Sequence, residues 1–136
     1  MNPRFIKPSE LTNLPYFTSM KTRKELKQAY AQIKHPMGVF QIKNISNGKL
    51  FIGSSVNLPA MWNRQRMQLK SGTHVSKSLQ EDWDRMGEDH FIYEILEEIR
   101  QDEDKDYTQD LTALESMYLE SLQPWGDKGY NRQRRG

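Results

Sequence analysis

The sequence predicts an α+β fold: a small three-stranded antiparallel sheet flanked by helices, plus an N-terminal helix. Three observations predict it. Two strand-like runs, Gly38–Ile45 and Lys49–Gly53, flank Asn47-Gly48, a dipeptide that suits a tight hairpin. A third short apolar run lies at Phe91–Leu96. Elsewhere, apolar residues recur at helical spacing between capping and breaking residues.

Residues 1–19 contain Pro3, Pro8 and Pro15 and show no period, which predicts a flexible arm. Met20 could serve as an alternative start. Thr22 and Glu25 have capping-box spacing, and Leu26, Ala29, Tyr30 and Ile33 follow at helical intervals. An N-terminal helix is therefore assigned within 20–35, stopped by Pro36. The hairpin comes next, with a two-residue turn at Asn47-Gly48. Asn57 and Pro59 then open a helix carrying Leu58, Met61, Trp62 and Leu69, which Ser71-Gly72 ends. Ser76 caps a second helix with Leu79, Trp83 and Met86, ended by Gly87.

The run at Phe91–Leu96 is apolar on both faces except for Glu94, which predicts a central strand. An acidic loop follows. A last helix, from about 110 to 122, turns Leu111, Leu114, Tyr118, Leu119 and Leu122 inward, and Pro124 breaks it. The domain is assigned to 36–131 and a basic tail to 132–136.

Composition excludes several classes. There is no Cys, so disulfide scaffolds and thiolate metal sites are ruled out. No apolar run reaches the roughly 18 to 20 residues that span a bilayer, and the N-terminus lacks a signal-peptide core. A cytoplasmic protein with no membrane partner is the expectation. Net charge is only +2, but it is unevenly placed. Arg64, Arg66, Lys70 and Lys77 lie in an acid-free stretch, and Arg132, Arg134 and Arg135 close the chain, whereas residues 97–110 are acidic. Such a layout suits orientation on a polyanion, or an ordinary mixed surface.

An ordered series of short motifs resembles the GIY-YIG endonuclease family. Gly38-Val39-Phe40 and Phe51-Ile52-Gly53 stand as its two hairpin motifs. Gly53-Ser54-Ser55, Asn57-Leu58, Trp62, Gly72-Thr73-His74, Leu79-Gln80, Gly87, Ile95–Glu98, Leu114-Glu115 and Gly129-Tyr130-Asn131 follow in order. The resemblance covers about 36–131. It implies one active site on the sheet. A Tyr from each motif helps activate the attacking water, and a helix Arg stabilises the phosphate. A Glu on the last helix holds magnesium or manganese, and an Asn organises the site. Phosphodiester cleavage needs that set: a base, a Lewis acid and a cation.

Position by position, most of that set is replaced. The two Tyr positions are Phe40 and Phe51, the Arg position is Met61, and a frequent His position is Gln65; Glu115 and Asn131 remain. A phenyl ring cannot accept or relay a proton. General-base catalysis contributes roughly 10² to 10⁴-fold and one electrostatic stabiliser roughly 10² to 10³-fold, and such losses do not simply multiply.

Each position also has a plainer role. Phe40 and Phe51 suit a packed cross-strand pair or a base-stacking surface. Met61 suits packing or an apolar contact. Glu115 is either a solvated flank residue or a tentative metal ligand, and one carboxylate is a sparse magnesium site unless phosphate adds oxygens. Arg64 suits solvation, phosphate binding or substitution for the missing guanidinium. His74 suits the site or the surface, and Asn131 suits the site or a bridge in the last loop. His35 and His90 have no partners at metal-ligand spacing.

The expectation is a degenerate domain of this type that binds DNA or another partner without efficient cleavage. Arg64, Arg66, Lys70 and Lys77 are its nucleic-acid contacts. The alternatives are a divergent metal-dependent endonuclease, with Arg64 or His74 as substitutes, and an interaction or self-assembly module using residues 1–34.

Overall fold

The computed structural model describes residues 34–133. The flexible arm at 1–19, nearly all of the N-terminal helix and the end of the basic tail lie outside that range. Lys34 and His35, at the end of the expected helix, have no regular secondary structure.

Strand β1 (Met37–Asn44) pairs antiparallel with β2 (Leu50–Ser55), Gly38 opposite Ser55 and Lys43 opposite Leu50. It also pairs antiparallel with β3 (Phe91–Ile99), and the register shifts between Val39 and Phe40. Helix α1 (Leu58–Ser71) and helix α2 (Lys77–Met86) lie between β2 and β3 in sequence. Helix α3 (Thr108–Leu122) follows β3. The α+β fold class, with its three-stranded antiparallel sheet, is as the sequence predicts.

The sheet order is β2-β1-β3, so β1 is central and β3 is an edge, not the central strand expected from its apolar run. The sidedness explains the difference. Val39, Phe40 and Ile42 of β1 are at most 1% exposed, whereas Ile92 and Ile95 of β3 are 40% and 45% exposed. The run in β3 is apolar without being covered on both faces.

The hairpin turn also differs, being a four-residue loop, 45–48. The fully buried Asn44 accepts the Ser46 N–H through its side chain at 2.9 Å. Its backbone carbonyl accepts from Gly48 N–H at 2.8 Å, and its N–H donates to the Lys49 carbonyl at 2.9 Å. The side-chain bond folds the chain before Asn47 is reached, so only Gly48 needs the left-handed region (φ 77°).

Helix boundaries follow their caps. Asn57 accepts the Ala60 N–H at 3.2 Å, and Gly72 closes α1 at φ 78°. Ser76 accepts the Leu79 N–H at 3.3 Å, and Gly87 ends α2. Helix α3 starts two residues before the expected 110. Its last inward candidate, Leu122, is 38% exposed.

The two faces of the sheet carry separate cores. Phe40 and Ile42 pack with Leu58 and Leu69 of α1 and Leu79 and Trp83 of α2. Val39 and Ile52 pack on the other face with Leu119, Leu114 and Tyr118 of α3. A terminal strap then covers the outer edge of β2. Tyr130 N–H donates to the Leu50 carbonyl at 2.8 Å. The Asn131 carboxamide accepts from Ile52 N–H and donates to Ile52 C=O, both at 2.8 Å. Edge groups that would otherwise invite a further strand are thus occupied. Gly129 permits this approach, since a Cβ there would lie 2.3 Å from the Pro124 carbonyl oxygen.

Candidate active site

The hairpin brings its two motif aromatics together. Phe40 is 1% exposed and Phe51 is half-buried, with ring centroids 6.5 Å apart. Gly53 lies opposite Phe40, and a Cβ there would come within 2.7 Å of the Phe40 ring tip. The bare glycine is what lets this ring lie across β2. Phe40 also meets Tyr93 of β3 at 5.3 Å, and Tyr93 stacks on Trp62 of α1 at 5.3 Å. Trp62 is thus partly buried against the core.

Tyr93 is a phenol in ring contact with Phe40, and the motif reading misses it. Its signal was period-two spacing from Phe91 on β3. It donates to the Leu58 carbonyl at 2.7 Å, and burial pushes its pKa up to about 12. It is therefore a fixed donor at neutral pH and a poor proton acceptor.

Met61, Gln65 and His74 form a connected row beside Phe51. The Gln65 amide donates to the Met61 sulfur at 3.3 Å, and its oxygen is bonded to His74 Nε2. His74 Nδ1 accepts the Ser76 N–H at 3.0 Å, which assigns the ring proton to Nε2. The ring also meets Phe51 edge-on at 5.0 Å. His74 is buried, and that burial holds its pKa below the ordinary value. Both ring nitrogens are in use, so the imidazole ties the middle of α1 to the cap of α2. A buried pairing nine residues apart across the Gly72 turn has no spacing signal in the sequence.

Glu115 is half-buried on α3, one turn after Leu111 and one turn before Leu119. That helix covers the sheet face opposite Phe40. Among the described residues, no three His, Cys, Asp or Glu side chains form a group able to hold a metal ion. A divalent ion on Glu115 would take its remaining oxygens from phosphate and water. Asn131 has both amide arms on Ile52, as described above, so its geometry is that of the bridge.

The four expected nucleic-acid contacts do not share one face. Arg66 and Lys70 both reach Glu88, at 4.0 and 3.4 Å, and Arg66 also lies over the Trp62 ring at 5.4 Å. Two residues apart on a helix means roughly 200° of rotation, so Arg64 lies on the other flank. It lines a separate groove with Met61 and Ser55. Lys77, at the start of α2, lines a third place, the groove over Phe51, together with Arg132. Charge adjacency in sequence does not survive the helix geometry.

Behind the strap, Tyr130 donates to Asp82 at 2.7 Å and accepts from Asn44 at 3.0 Å. Burial, helped by the Asp82 bond, pushes the Tyr130 pKa up to about 12. Burial acts to raise Asp82, but the bonds from Tyr130 and Arg85 outweigh it and leave the carboxyl below its ordinary value.

No family model matches the chain. The chain is 37% identical over 67 residues to intron-associated endonuclease 1 of Enterobacteria phage T4, covering 49% of this chain and 27% of that protein. The match thus spans about a quarter of that curated relative. Two solved structures are similar over far more of their length. One is the catalytic domain of the homing endonuclease I-TevI, at 30% identity and TM-score 0.62, covering 72% of this chain and 99% of that one. The chain belongs to the GIY-YIG family. The second is a glutamate-to-alanine mutant of the same catalytic domain, at 31% identity and TM-score 0.61, covering 71% of this chain and 92% of that one. The three-stranded antiparallel sheet with its three helices therefore matches the fold of that catalytic domain. No helix among the described residues is long and apolar enough to cross a membrane.

Proposed function

We propose that this GIY-YIG domain binds DNA and does not cut it efficiently. The observation that carries the reading is what stands at the family's phenol and guanidinium positions. Phe40 and Phe51 offer hydrocarbon edges, and Met61 offers a thioether already bonded to Gln65. The neighbouring imidazole of His74 is committed at both nitrogens. No group in that row is set to take a proton from water. The names of the relatives support DNA as the partner.

The test is a plasmid assay with the purified chain, in magnesium and separately in manganese, beside a binding titration across salt. The expected result is retention of DNA that weakens with salt, without nicking. Affinity indifferent to salt would remove DNA binding from the proposal.

One observation favours a second reading, a divergent active nuclease. Glu115, which the resemblance assigns to the family's carboxylate, is half-buried on the inward side of α3. Under that reading the chain nicks supercoiled plasmid with a metal ion, and Glu115→Ala abolishes nicking. Vigorous, Glu115-dependent nicking by the unmodified chain would decide for it and against the first.

A further inference from the structure

Resting on the DNA-binding reading, we propose that the groove over Phe51 holds an unpaired nucleotide of a single DNA strand. Its base would lie against Phe51, and its phosphate between Lys77 and Arg132. The groove has a volume of about 590 Å³ and runs between the start of α2 and the strap, with Ser78 and Tyr130 on its walls. That volume lies within the range of about 300 to 1,000 Å³ typical of small-molecule sites.

Charge selects the occupant. The lining includes Lys77 and Arg132 and no acidic side chain. The other candidate cations compare poorly: Arg66 and Lys70 both face Glu88, and the groove beside Arg64 holds that single cation. Further, the Ser76 hydroxyl takes the Leu79 N–H. The backbone N–H groups of Lys77 and Ser78, in the first turn of α2, have no acceptor within the helix. They add to a field that favours phosphate.

Shape selects a single strand. Phe51 meets His74 and Phe40 on its buried side and still lines the groove. An aromatic floor is useful to a base only if that base has a free face. In a duplex both faces are covered by neighbouring pairs, whereas an unpaired base can stack.

The experiment titrates the full chain against a labelled oligothymidylate and against a duplex of equal length, across salt. The wild type is expected to prefer the single strand by about fivefold or more. Lys77→Ala with Arg132→Ala should weaken single-strand binding about tenfold and flatten its salt slope by about 1 to 2. Arg100→Ala with Lys105→Ala removes the same charge from the acidic loop after β3, where both cations pair with aspartates, and should leave binding nearly unchanged. Phe51→Leu keeps apolar bulk and should remove the single-strand preference while duplex affinity stands.

Equal losses from the two double variants would overturn the proposal, as would a preference that survives Phe51→Leu. If the wild type binds both probes and the Lys77/Arg132 variant is unaffected, only the groove assignment fails. If the wild type binds neither probe, DNA binding itself fails.

Discussion

Asn131 separates a family site residue from a structural bridge, and the two roles predict different losses. Its carboxamide makes two bonds to the Ile52 backbone, each 2.8 Å long and partly buried. Truncation to Ala removes both and leaves the Ile52 N–H and C=O without that partner. At roughly 1 kcal/mol net per bond, and more where the abandoned group stays dry, Asn131→Ala should cost about 2 to 3 kcal/mol. Asn131→Asp should cost at least as much. It keeps an acceptor for the N–H but turns a carboxylate oxygen toward the Ile52 carbonyl. Urea denaturation by circular dichroism reads both, as a lower midpoint at unchanged slope. A stability loss below about 0.5 kcal/mol in Asn131→Ala, together with lost DNA binding, would refute the bridge and restore Asn131 to the site.

Three other outcomes follow from the geometry. Phe40→Tyr places a hydroxyl at a ring tip that is 1% exposed and close over Gly53, so it should lower stability by about 1 to 3 kcal/mol in thermal melts. A neutral result would mean that the cleft still accommodates the family's phenol. Tyr93→Phe removes the donor to the Leu58 carbonyl while keeping the stack on Trp62, and should cost about 1 kcal/mol by the same measurement. For His74, burial holds the folded pKa below 6.5, so the unfolded chain takes up the proton first as pH falls. The stability contributed by the neutral ring is therefore complete above about pH 6.5 and is lost as pH falls toward the folded value. Melting curves across that window should slope for the wild type and flatten for His74→Gln.

Capping signals made most of the fold legible. Asn57, Gly72, Ser76 and Gly87 bound α1 and α2 where the sequence places them, because each acts through one local bond or one backbone angle. The misreadings needed distant partners. Asn44 was an unremarked strand residue until burial against Tyr130 and Met86 turned its oxygen into the organiser of the loop. The order of β1 and β3 depends on which strand both helix layers cover, which apolar content alone does not specify. At the candidate site, the engagement of His74 with Gln65 was not legible. Neither residue announces a partner across a helix end.

On the proposed reading, phenyl rings in place of phenols and consolidation of the core are one physical change. A Tyr at position 40 must keep its hydroxyl wet or bonded, which holds a cleft open above the β2 glycine. Phe40 carries no such requirement. Its ring is buried against Gly53, Tyr93 and Phe51, and Tyr93 in turn supports Trp62 and the start of α1. Restoring chemistry would thus mean more than adding back two hydroxyls and a guanidinium. The buried hydroxyl at position 40 has to find a partner, and the His74–Gln65 pair has to release an imidazole nitrogen. A variant carrying Phe40→Tyr, Phe51→Tyr and Met61→Arg should accordingly nick plasmid weakly if at all. Adding Gln65→His, which returns an imidazole to the family's position and frees His74 from its present partner, should increase nicking. Robust cutting by the triple variant alone would show that the aromatic core never closed over the cleft.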